Sequence, residues 1–390
     1  MEKRRGAEEF SLLGGPLHRL GCRLGLVRNG TNTVALGLAL GVFPWVVLLA
    51  LVLTENLGSA FFSIGLISSH VRLLVAIPLL FVCESFVDPR FAAFVRLIVQ
   101  SQIVPANMRP ALDVEIARIV RWRDSWLPEA VFLVAAVLLA LSMRSSSFVN
   151  YLSGTAGWGN PGGVSAVSWA SQWGRLVCIP LFYFLWLRWY WRLGLWFFLL
   201  WRVSRLQLRL VATHPDGAGG LGFLELVHSE FAPMVMAISA TLSASLAQDI
   251  ALGRTTFDAI VPVVALILCV DVVLFLGPLL IFSRKLWNCK VQGLSDYSRF
   301  AERYVSEFES KWLGNDSATA EGLLGTSDIQ ALADLNSSVG IVRNMRIAPI
   351  SAGIVVRLAA AALLPLLPLV LFKHPLGELL RTIFGRMSGL

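Results

Sequence analysis

Seven stretches of the chain are so apolar and so long that water is the wrong solvent for most of it: about Thr33–Leu53, Val71–Val87, Pro128–Phe148, Leu176–Leu195, Phe231–Leu252, Ala259–Phe282 and Pro349–Phe372. Crossing roughly 30 Å of hydrocarbon takes about 20 helical residues. Each run reaches or approaches that length; the second is short and the fifth is the least apolar. A soluble domain can hide one or two such helices, but it would run out of polar surface with more. Only 15% of the 390 residues are charged and 56% are hydrophobic, against about a quarter charged in soluble domains. The expectation is an all-α, polytopic transmembrane helix bundle of about seven spans, with a range of six to eight, and a small cytoplasmic helical domain.

Charge orients such a bundle, because Lys and Arg collect in cytoplasmic loops. With the N-terminus inside, 23 of the 33 Lys and Arg fall in inner segments and 6 in outer ones. The net charge of +8 therefore reads as topology, and nucleic acid is not an expected partner. The expected divisions are a basic cytoplasmic segment over 1–32 and a bundle over 33–283 with inner loops at 88–127 and 202–230. A cytoplasmic helical hairpin over 284–346, a final span over 347–372 and an amphipathic tail over 373–390 follow. The expected location is a cell membrane of the bacterial inner-membrane type. The side of the tail stays open. Three of the six outer charges lie in its 18 residues, so the fifth run could lie in the interface, or Pro365 and Pro368 could turn the seventh back.

The first 32 residues lack the continuous apolar region of a cleavable signal, so the first run reads as an uncleaved span. The Asn29-Gly-Thr31 sequon lies in a segment expected inside and is discounted. Five cysteines show no metal-ligand spacing and no disulfide framework. Trp158, Trp169 and Trp173 in the outer 144–174 loop read as interface anchors. In the hairpin, Tyr297, Phe300, Tyr304 and Phe308 share a helical face, and Ser327-x-x-Gln330 opens a second helix as a capping box. Small residues Ser239, Ala240, Ser243, Ala244 and Ala247 let the fifth span approach a neighbour closely, inside the bundle or in a homo-oligomer.

Signatures of chemistry are few. The sequence contains no phosphate-binding loop of the G-x-x-x-x-G-K-[ST] type, no H-E-x-x-H and no G-x-S-x-G. Neither an enzyme activity nor a cofactor or metal is expected. The stretch His214-Pro-Asp216-Gly217-Ala-Gly219-Gly220-Leu-Gly222 concentrates glycines that admit positive φ. Such a turn can cradle an anion on its N–H groups, or it can simply fold the inner loop with Asp216 as a cap. The fourth span carries Trp186, Trp189, Tyr190, Trp191, Trp196 and Trp201, with Arg188 and Arg192 one turn apart. These read as an aromatic belt with snorkelling arginines or as a basic stripe facing a polar cavity.

At about 1.5 Å per residue, Glu84, Arg188, Asp271 and Arg357 come to nearly the same depth. The expectation is a buried layer in which Glu84 and Asp271 face Arg188 and Arg357. Charges at that depth are expensive and tend to mark pathways. The leading functional expectation is therefore a transporter, channel or gated pore acting on an ion or small molecule. A ligand sensor or enzyme sited at 214–222, and a scaffold or assembly subunit, are the alternatives.

Overall fold

The computed structural model describes residues 10–28, 30–56, 61–142, 169–313 and 327–373. Among them every regular element is helical. Among the described residues five helical stretches are long and apolar enough to cross a membrane: Val34–Thr54, Ile67–Gln100, Phe223–Ala251, Phe257–Trp312 and Ala352–Val370. A sixth is Ala106–Asp124 with Leu127–Ser142, if this pair, bent by 45°, counts as one span. That is fewer than the seven expected. The fourth run is helical, but it carries Arg188 and Arg192 and is buried against protein along most of its length.

Helix α1 (Gly15–Arg23) is short and amphipathic. Helix α2 (Val34–Thr54) packs along α3 (67–100), which contains a π-helical turn at Arg72–Ala76. Two glycines one turn apart permit this approach. A Cβ on Gly37 would lie 2.5 Å from the Phe81 Cβ, and one on Gly41 would lie 2.2 Å from the Leu73 carbonyl oxygen. This Gly-x-x-x-Gly spacing brings membrane helices together by letting their backbones touch.

Helices α4 (Arg109–Asp124) and α5 (Leu127–Ser142) follow. A second π turn, Gly174–Cys178, leads into α6 (Ile179–Arg205), which packs on α5 and α4. The short α7 (Phe223–Ser229) precedes α8 (Ala232–Ala251). The stripe of small residues on α8 is largely buried, and α8 contacts α3 and α12 (Ala352–Leu363). Helix α9 (Phe257–Leu276) continues through a 3₁₀ stretch into α10 (Ser283–Trp312), against which α11 (Ser327–Arg343) packs. On α10, Phe300 is exposed, while the Tyr304 hydroxyl donates to the Asp328 carbonyl at 3.0 Å.

The seventh run is helical from Ala352 rather than from Pro349. The Ser351 hydroxyl caps it by accepting from the Gly353 and Ile354 N–H groups, and Pro365 and Pro368 lie in a terminal 3₁₀ stretch. Trp158 and the sequon residue Asn29 lie outside the described residues, as does the tail beyond Lys373.

Candidate functional site

Glu84 sits on α3 and faces α6, where Arg188 and Arg192 share a side because they are one turn apart. The Arg192 Nη1 lies 2.6 Å from Glu84 Oε1, and the Arg188 Nη1 donates to Glu84 Oε2 at 3.4 Å. The first is a charge contact rather than an aligned hydrogen bond. Arg188 also donates through Nε to Glu129 Oε1 at 3.2 Å. Glu84 is only 2% exposed. Two guanidiniums on one carboxylate, one of them shared with Glu129, compensate charges that would otherwise be prohibitive to bury.

The beginning of the described chain closes this cluster. Asp88, one turn beyond Glu84, accepts from the Leu12 N–H at 2.7 Å, the Leu13 N–H at 3.1 Å and the Ser11 hydroxyl at 2.7 Å. Glu129 Oε2 accepts from the Leu17 N–H at 2.9 Å. Arg192 donates to the Gly14 carbonyl at 3.4 Å and Arg123 to the Ser11 carbonyl at 2.7 Å. Gly15 is required here: its φ is +86°, and a Cβ would lie 2.3 Å from Glu129 Oε1. Residues 10–17 thus form a strap across the charge cluster, with Phe10, Leu12 and Leu13 buried. A cavity of about 10 Å³ remains between Leu12, Glu84, Asp88 and Arg192, room for about one water.

The expected four-residue layer divides. Arg357 does not face Asp271. It bonds Glu230 at 3.3 Å, and Arg90 approaches the same carboxylate at 3.7 Å. The reason is the late helix start at Ala352, which leaves Arg357 in the second turn with its side chain half exposed. Asp271 is 6% exposed, and among the described residues its Oδ2 has no hydrogen-bond partner. It borders an apolar cavity of about 160 Å³ between α9 and α12, whose walls include Leu268, Phe275, Leu358 and Ala362.

The glycine-rich loop holds an anion of its own. Asp216 Oδ1 accepts from the Ala218 N–H at 2.8 Å and the Gly220 N–H at 3.2 Å, and Oδ2 accepts from the Gly222 N–H at 2.8 Å. Gly217, Gly219 and Gly220 all have positive φ. The His214 Nδ1 is 2.8 Å from Asp216 Oδ1 and 3.3 Å from the Asp216 N. One nitrogen cannot serve both as a neutral imidazole, and the shorter contact to a charge favours Nδ1–H donating to the carboxylate. Burial pushes the Asp216 carboxyl up, but the three N–H donors and His214 outweigh it and hold the group below the usual aspartate range. Around the loop, Arg346 donates to the Asp216 carbonyl at 2.8 Å and to Glu225 at 2.8 Å.

Known proteins offer no guide. No family model, curated protein or solved structure matches the chain. The site must therefore be judged on its geometry. Among the described residues no three His, Cys, Asp or Glu side chains come together as a metal site.

Three features escaped the reading of the sequence. One is the strap, which Asp88 and Glu129 hold through backbone N–H groups. The second is His228, fully buried between the Trp196 indole N–H at 3.2 Å and the Phe275 carbonyl at 2.7 Å. Indole only donates, so His228 Nε2 accepts and Nδ1–H donates, which describes a neutral ring. The third is Arg72, which sequence placed inside an apolar run without a role.

Proposed function

We propose that this integral membrane protein is a transporter or gated pore in which Asp271 is the carboxylate that takes up a proton or a cation. The observation that carries this reading is the contrast between two buried acids. Glu84 is locked between Arg188 and Arg192, whereas Asp271 borders an apolar cavity with no partner for Oδ2 among the described residues. An isolated charge at membrane depth costs at least a few kcal/mol. A proton or a bound cation relieves that cost, and its release restores it, so the occupancy of Asp271 can drive a change of state. In this reading Glu84, Arg188 and Arg192 are the fixed frame. Arg357 belongs with Glu230 at the end of the bundle that receives the basic loops, and that end faces the cytoplasm.

The test is flux in sealed proteoliposomes containing the full chain, followed with a pH-sensitive dye under an imposed Na⁺, K⁺ or H⁺ gradient. Asp271→Asn keeps the size of the side chain and removes the charge. Gradient-dependent flux in the native protein, lost at least tenfold in Asp271→Asn, is the expected result. Flux that persists in the variant sinks the proposal, and so does native protein that leaks no more than empty vesicles.

A further inference from the structure

Arg72 opens the π turn of α3 and is 4% exposed. Among the described residues no carboxylate lies within ion-pair distance of it and no hydrogen bond reaches its guanidinium. Its guanidinium lies over the face of the Phe182 ring, 5.6 Å from the centroid, and feels the neighbouring Tyr183 electrostatically. A buried arginine normally has a carboxylate or phosphate across from it, because the uncompensated ion is so costly. One turn earlier, Ser69 is buried and its hydroxyl has no hydrogen-bond partner among the described residues.

Arg72 and Ser69 border one cavity, of about 10 Å³, which Leu73, Cys178 and Ile179 complete. That is room for about one water-sized particle. Both π turns, Arg72–Ala76 and Gly174–Cys178, contribute to its wall, and π turns recur at functional sites. The chemistry of the lining is one-sided: a fixed positive charge, a hydroxyl able to donate, a thiol that donates weakly, and hydrocarbon. A cation is repelled. A carboxylate ligand or a polyatomic oxyanion exceeds the space.

We propose that this cavity is a binding site for one small monovalent anion of the halide class, held by the Arg72 guanidinium and the Ser69 hydroxyl. Arg72 lies five residues into a 34-residue helix, about 8 Å from its end, so the anion reaches the site from the membrane surface nearest Ile67. The site stands on its own geometry and does not depend on Asp271.

The experiment is thermal melting of the full-length protein in detergent, titrated with sodium fluoride, chloride, bromide or gluconate at constant ionic strength. At least one halide should raise the melting temperature saturably while gluconate does not. Arg72→Gln should weaken the apparent halide affinity at least tenfold, and Ser69→Ala at least threefold. Asp271→Asn should leave it unchanged, which separates this site from the transport reading. If Arg72→Gln does not fold, Ser69→Ala and Arg72→Lys carry the test, since Lys keeps the charge and loses the planar fork. A halide response equal to that in gluconate, or equal in native protein and Ser69→Ala, overturns the proposal.

Discussion

Three charged residues buried among these helices illustrate three solutions to one electrostatic problem. Glu84 is paired twice, Asp271 borders an apolar cavity, and Arg72 faces an aromatic ring and borders a small cavity beside Ser69. Removing one member of a buried ion cluster is costly because the others remain charged, typically about 3–5 kcal/mol. Glu84→Gln should therefore lower stability by about that much. Asp271→Asn removes no ion pair and should be neutral or stabilising. Unfolding of both variants in detergent, monitored by tryptophan fluorescence, distinguishes them. A Glu84→Gln protein as stable as the native one would mean that its arginines find other partners.

At the level of elements, the strap over residues 10–17 is the least expected part of the fold. Its N–H groups at Leu12 and Leu13 end on the buried carboxylate of Asp88. Asp88→Ala should release them, raising amide hydrogen exchange at both positions at least tenfold while α3 stays protected. Unchanged exchange would show that Phe10 and Leu12 packing alone holds the strap. Nothing in the sequence announces this contact, since an aspartate that accepts backbone N–H groups from a distant segment looks like any other aspartate. The helical runs themselves were legible, because bilayer thickness writes their length into the chain. Counting depth along a run also brought Glu84 to Arg188, where both helices are regular through that level. It failed for Arg357, whose helix begins later than its apolar run, at the Ser351 cap. The Gly37-x-x-x-Gly41 approach went unread in the sequence, where nothing points to its partner, the Leu73 carbonyl in a π turn. A π turn depends on packing more than on residue type.

Across the whole molecule, the segments richest in Lys and Arg gather at one end of the bundle. The Arg209 N–H donates to the Ile103 carbonyl at 2.8 Å, Lys285 donates to the Leu206 carbonyl, and Gly293 of α10 approaches Ala212. The loop around Asp216 is the keystone of that end, because Arg346 reaches both its backbone and Glu225. The Asp216 carboxyl is held below its ordinary range. Its stabilisation is therefore fully present above the unfolded aspartate value, roughly pH 4, and disappears as pH falls through the lower folded value. Asp216→Asn should loosen this end at neutral pH by about 1–3 kcal/mol and flatten the acid limb of the melting curve. An identical limb in native and variant protein would remove Asp216 from this role.

The strap carries a further consequence for how the chain is made. Its seat is assembled from Asp88, Arg123, Glu129 and Arg192, the last made 178 residues after Gly14. The ribosome releases the strap well before its seat, because the chain must emerge as far as α6 before the seat is complete. A segment made before its partners is thus among the last to find its place, and a nascent chain that stops short of α6 exposes it to whatever factors patrol the membrane surface.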